Sequence, residues 1–206
     1  MAAELRKIYT ENPQKRLIQK AAQILADGGI VVYPTDTIYG MGIDLFNKRA
    51  VEKVLRIKKA SNHKLLTFIC SDLKSISEWA VVSNEAYRVM RRVLPGPYTF
   101  ILRASRQVPK ITMHKRKTVG IRVPESKIIL DLVEELGRPL LSTSVPMGQD
   151  GYYTDPQEIA DNFSNEIDLI LDAGVMFNQP STIVDFSSDE PEIIREGLGS
   201  IEELYY

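Results

Sequence analysis

Short hydroxyl and basic side chains stand at the ends of several strand-like runs in this sequence. Thr35, Asp36 and Thr37 come after the apolar run Ile30 to Tyr33, and Arg122, Ser142 to Ser144, Ser181-Thr182 and Arg195 hold comparable places further on. Ligand sites in open α/β sheets lie at the carboxyl ends of strands. Arginine grips a carboxylate or phosphate through two N–H groups while hydroxyls donate around it, so this set of residue types suits an anionic ligand. Each member also has an ordinary structural use. Pro34-Thr35-Asp36-Thr37 is turn chemistry in which Asp36 or Thr37 caps the next segment, Ser142 to Ser144 fits a turn, and Arg122 fits an ion pair with an acid.

Other chemistries find less support. Neither the phosphate-loop pattern Gly-x-x-x-x-Gly-Lys-Ser/Thr nor the dinucleotide pattern Gly-x-Gly-x-x-Gly occurs. The single cysteine, Cys70, sits in the apolar run Leu65 to Cys70 and reads as a small core residue rather than a nucleophile. His63 and His114 are far apart and form no ligand pattern with it, so no metal site is expected.

The elements that would position these residues alternate along the chain. Asn12-Pro13 predicts a capped helix start, with Leu17, Ile18, Ala21, Ala22 and Leu25 at helical spacing until Gly28 and Gly29. A strand over Ile30 to Tyr33 stops at Pro34, and Gly40 and Gly42 permit torsions or close approaches that a Cβ would forbid. A second helix starts at Asn47 and runs out near Lys58-Lys59. Further helices are predicted over Asp72 to Trp79, after Ser83, from Ser126 to Leu136 with Gly137 closing it, and from Asp155-Pro156. Strands are predicted over Leu65 to Cys70, Tyr98 to Arg103, Val119 to Val123, Ile167 to Leu171, Thr182 to Phe186 and Glu192 to Arg195, with Leu140-Leu141 leading into Ser142. Without repeats or a low-complexity linker, one mixed α/β domain over 1–206, with its core at about 12–201, is the economical expectation.

The 206 residues, 44% hydrophobic and 26% charged, have the balance of a globular protein of one substantial domain. No apolar run approaches the length of a membrane span and the start lacks a signal-peptide core, so a cytoplasmic location without membrane association is the default expectation. The net charge of −1 excludes an indiscriminate polycation, although Lys110, Lys115, Arg116 and Lys117 fall close together.

Six stretches carry a resemblance. Gly28 to Gly42, Pro95-Gly96-Pro97-Tyr98-Thr99, Val119 to Pro124, Ser142-Thr143-Ser144, Pro180 to Asp185 and Arg195-Glu196-Gly197 are similar, in order, to the YrdC/YciO family, nearest its YciO branch. The resemblance implies a YrdC-like (dsRBD-type) fold: a twisted mixed sheet with flanking helices and a large concave, basic cavity. It implies a threonylcarbamoyl-adenylate synthase, which joins ATP, L-threonine and bicarbonate into threonylcarbamoyl-AMP and pyrophosphate for t6A modification of tRNA. Such chemistry needs no covalent nucleophile. The protein positions the reactants and stabilises phosphate charge, with Mg²⁺ accompanying the ATP. By resemblance Thr35, Arg122, Ser142 and Ser181 hold threonine; Lys58, Lys64, Thr118, Ser144 and Arg195 lie near ATP; and Lys58, Arg122 and Ser144 are the catalytic set.

Two departures stand out. The segment that usually reads Lys-Gly-Arg-Pro-x-x-Lys-Pro-Leu is here Lys58-Lys59-Ala60-Ser61-Asn62-His63-Lys64-Leu65-Leu66, and the family's Ser-x-Asn is Ser144-Val145-Pro146. Losing a phosphate-facing guanidinium removes transition-state stabilisation worth on the order of a hundredfold in rate. A second expectation, from a different class, is therefore a double-stranded RNA- or tRNA-binding protein without efficient synthase activity, using Lys110, Lys115, Arg116 and Lys117 for phosphate contacts.

Overall fold

The computed structural model describes residues 3–58, 66–112, 116–146, 148, 151–176, 179–188 and 190–205. In chain order these form β1 (Glu4–Lys7), α1 (Lys15–Ala26), β2 (Val31–Tyr33), β3 (Gly40–Asp44), α2 (Lys48–Ile57), β4 (Thr67–Ile69) and α3 (Leu73–Trp79). Next come β5 (Ala80–Val81), α4 (Asn84–Val93), β6 (Tyr98–Ala104), β7 (Thr118–Arg122), α5 (Lys127–Leu136), β8 (Leu140–Ser144), α6 (Pro156–Phe163), β9 (Leu169–Asp172), β10 (Thr182–Asp185) and β11 (Glu192–Arg195).

Most helix starts are chemically explicit. Asn47, Asp72, Ser83 and Asp155 each accept a backbone N–H of the first turn with their side chains, and Asp72 and Ser75 complete a reciprocal capping box. Gly137 closes α5 at φ 70°, a left-handed torsion suited to glycine. The first helix differs from expectation: it begins at Lys15, not at Asn12-Pro13. Gln14 holds the N-cap position but turns its amide to the end of β1, donating to Lys7 O at 3.3 Å and accepting from Tyr9 N at 3.2 Å. Anchorage to the neighbouring strand sets where α1 starts.

All strands join one mixed sheet in the order β1-β9-β2-β3-β8-β4-β7-β6-β10-β11, with β5 added to β6. Three short strands, β1, β3 and the two-residue β5, escaped the sequence pattern. β1 is a polar edge strand parallel to β9, and β3 lies antiparallel between β2 and β8 although Gly40 and Gly42 weaken its strand pattern. Cross-strand registers assign the two faces. On one, Met41, Ile43, Phe68, Phe100, Ile121 and Leu141 pack with apolar residues of α2, α3, α4 and α6 into the larger core. On the other, Val31, Tyr33, Ile69, Leu140, Leu169 and Leu171 are covered by α1 and α5. Beyond that cover the second face turns polar: Ser142 opposes Thr67, Thr67 opposes Gly120, and Arg122 ends the next strand in phase with them. No described helix is long and apolar enough to cross a membrane.

Candidate functional site

The uncovered part of the second face is the floor of a cavity of about 650 Å³, within the usual range of ligand pockets. Lys58, Arg122 and Arg195 line it, and no carboxylate does among the described residues.

Arg122 lines the cavity from the end of β7 and is only 7% exposed. Its Nη2 donates to the Asp36 carboxylate and, at 3.0 Å, to Thr37 Oγ1. The second Asp36 oxygen accepts from Glu125 N at 3.1 Å, which ties the β2–β3 turn to the end of β7. Asp36 therefore caps no helix; it anchors a buried guanidinium across 86 residues of sequence. Thr35 serves the same turn, donating to Ile38 O at 2.7 Å and accepting from Thr37 N at 2.9 Å, while still facing the cavity. Burial pushes the Arg122 pKa down and the Asp36 charge opposes this, so the guanidinium stays charged. Among the described residues its Nε is buried without a hydrogen-bond partner.

The remaining members form two pairs. Lys58, at the carboxyl end of α2, donates from Nζ to Ser144 O at 3.0 Å and to Ser144 Oγ at 3.3 Å. Desolvation lowers its pKa. Arg195 donates through Nε and Nη2 to Ser181 O at 3.1 and 2.7 Å, and Ser181 Oγ lies 2.9 Å from Thr99 Oγ1. Ser142 meets the buried hydroxyl of Tyr33 at 2.6 Å.

Thr35, Lys58, Arg122, Ser142, Ser144, Ser181 and Arg195 thus line one cavity. Thr118 shares their sheet face but is four residues from Arg122 along β7, about 13 Å away at ordinary strand rise, and lies outside the lining. Lys64 and Lys115 fall outside the described residues, as does the segment holding Ala60. Lys110, Arg116 and Lys117 are exposed on the β6–β7 connection and line no part of the cavity. Pro146 does line it, offering no donor. Cys70 is buried, and its thiol is pushed up to about 12 by desolvation, an inert setting.

Thr37, named with Thr35 at the strand end, lines the cavity too, whereas sequence reasoning gave no role to Thr67, Thr99, Tyr152 and Phe163, which also line it. Thr99 lay inside a stretch already singled out. Tyr152 and Phe163 carry no local signal.

A family model of Sua5, YciO and YrdC proteins, described as "Telomere recombination", matches residues 23–197. The chain belongs to the Sua5/YciO/YrdC family. It is 40% identical to the uncharacterised protein YciO of Escherichia coli over 197 residues, covering 95% of this chain and 96% of that one. The crystal structure of E. coli YciO superposes with a TM-score of 0.92 at 38% identity, covering 98% of this chain and 99% of the other. A putative threonylcarbamoyl-AMP synthase of Methanocaldococcus jannaschii is 32% identical over 201 residues, or 96% of this chain and 95% of its own. The crystal structure of Sua5 from P. abyssi complexed with L-threonine matches with a TM-score of 0.89 at 27% identity, over 97% of this chain and 59% of that one. The mixed α/β fold is therefore that of YciO and of the corresponding part of Sua5.

Proposed function

We propose that the cavity binds L-threonine and ATP and joins them with bicarbonate into threonylcarbamoyl-AMP, releasing pyrophosphate. The observation that carries this reading is the charge layout of the cavity. Arg122 is neutralised by Asp36, whereas among the described residues Lys58 and Arg195 are held only by neutral oxygens of Ser144 and Ser181. A zwitterionic amino acid fits beside the neutralised pair, and a polyanion fits the uncompensated cations. The related Sua5 that binds L-threonine and the relatives named threonylcarbamoyl-AMP synthases support the same assignment.

In this reading Arg122, Ser142, Ser181 and Thr35 hold the amino acid. Its amine takes up the carbon of bicarbonate as a carbamate, with loss of water. A carbamate oxygen then attacks the α-phosphorus of ATP, the bond to the bridging oxygen breaks, and pyrophosphate leaves. Lys58, with Ser144 beside it, and Arg195 meet the phosphate charge as it redistributes, and Mg²⁺ arriving with the nucleotide shares that task. No enzyme nucleophile is needed. Lys64 belongs to the same proposal from its place in the Lys58 to Leu66 segment, and Thr118 only if the nucleotide extends along β7 beyond the lining. Ala60 and Pro146 remove an arginine and an amide that the family pattern provides, so a slow synthase is expected.

Purified protein given ATP, Mg²⁺ and bicarbonate should release pyrophosphate only when L-threonine is present, with the adenylate appearing in chromatography. ATP left intact at high protein concentration, together with double-stranded RNA binding that collapses with added salt and ignores ATP, would replace this reading by the RNA-binding one.

A further inference from the structure

Gly40 and Gly42 present a strip without side chains on the middle one of three adjacent strands, and Tyr33 uses it. Tyr33 stands on β2 opposite Gly40, and Ser142 stands on β8 opposite Gly42. The tyrosine ring lies across both glycines. A Cβ on Gly40 would come within 2.8 Å of Tyr33 Cε2, and one on Gly42 within 2.5 Å of Cε1. The phenol thereby reaches past β3 to Ser142 Oγ, 2.6 Å away.

The direction of that bond decides what Ser142 can do. Tyr33 is fully buried, desolvation raises its pKa so that the phenol keeps its proton, and Ser142 Oγ is its partner. A buried phenol that accepted instead of donating would leave its own proton unsatisfied, and a phenol is the better donor of the two hydroxyls. Tyr33 therefore donates. Ser142, its lone pair occupied from beneath, keeps its proton for the cavity, on the face that also carries Arg122.

We propose that Tyr33 is a positioning residue which, crossing the Gly40–Gly42 strip, fixes Ser142 as a hydrogen-bond donor for an anionic oxygen, the carboxylate of the bound amino acid. The assignment rests on the reading of the cavity as an amino-acid site. Tyr33 touches no ligand; it acts through Ser142 alone.

Calorimetric titration of L-threonine into wild type, Y33F, S142A and Y33F/S142A tests this, with thermal unfolding of each variant as the check on folding. Y33F should weaken threonine binding about tenfold, the scale of a hydrogen bond to a charged group. Added to S142A it should weaken binding no further, because Tyr33 has nothing left to orient. G42A, which displaces the ring from the other side, should reproduce the Y33F loss with Ser142 intact. Equal losses from Y33F in both backgrounds, or none in the wild-type background, overturn the assignment while leaving the amino-acid site standing. Wild-type protein that binds no L-threonine overturns the site reading and the assignment together.

Discussion

The cations that line one cavity are held on two opposite electrostatic plans. At Arg122 the charge is buried and balanced: Asp36 and Thr37 hold the guanidinium, and Asp36 is itself tied to Glu125 N. Lys58, over β8, and Arg195, beside β10, lie on either side of Arg122, half-buried and with no carboxylate partner among the described residues, each resting on serine oxygens. Burying a charge costs several kcal/mol unless a counter-charge offsets it, so Arg122 is stabilised in place by Asp36, whereas Lys58 and Arg195 keep their charge available to an incoming anion. The contrast teaches that net charge of the molecule, −1, says little about the field inside its cavity.

The largest expected effect breaks the balanced pair. Arg122→Leu leaves Asp36 buried without its partner, which should cost about 3 kcal/mol in urea unfolding and abolish measurable threonine binding. A variant with unchanged stability would mean that Asp36 finds water and that the pair does not organise the turn.

At Lys58 the sign should reverse for stability. The lowered pKa of Lys58 means that folding disfavours its charged form, a cost present at any pH below the ordinary lysine range. Lys58→Met removes that cost, so thermal stability should hold or rise slightly while ATP affinity drops roughly tenfold to a hundredfold. In the wild type, free Lys58 should lose its proton at a lower pH than an exposed lysine, and nucleotide affinity should fall as pH rises through that point. A pH-independent affinity up to the ordinary lysine range would remove Lys58 from the phosphate contacts.

The same contrast explains which features were legible in the sequence. Helix starts at Asn47, Asp72 and Ser83 are local hydrogen-bond chemistry, written within four residues, and could be read directly. β3 could not, because Gly40-Met41-Gly42 has little strand propensity and is held by β2 and β8 from either side. Candidate hydroxyls and arginines were visible from their places at strand ends. Their division of labour was not. The pairing of Arg122 with Asp36 spans 86 residues and that of Tyr33 with Ser142 spans 109, and no spacing rule reaches so far. Tyr33 looked like one more apolar strand residue because its function depends on glycines in the next strand.

On the proposed reading one cavity offers a neutralised Arg122 to a zwitterion and the uncompensated Lys58 and Arg195 to a polyanion. Calorimetric titration of L-threonine and of a non-hydrolysable ATP analogue with Mg²⁺, each in the presence and absence of the other and at low and high salt, tests it directly. Each ligand should bind at one site, both should bind at once, and the salt dependence should be steep for the nucleotide and shallow for threonine. Mutual exclusion of the two ligands, or equal salt dependence, would contradict the proposed reading.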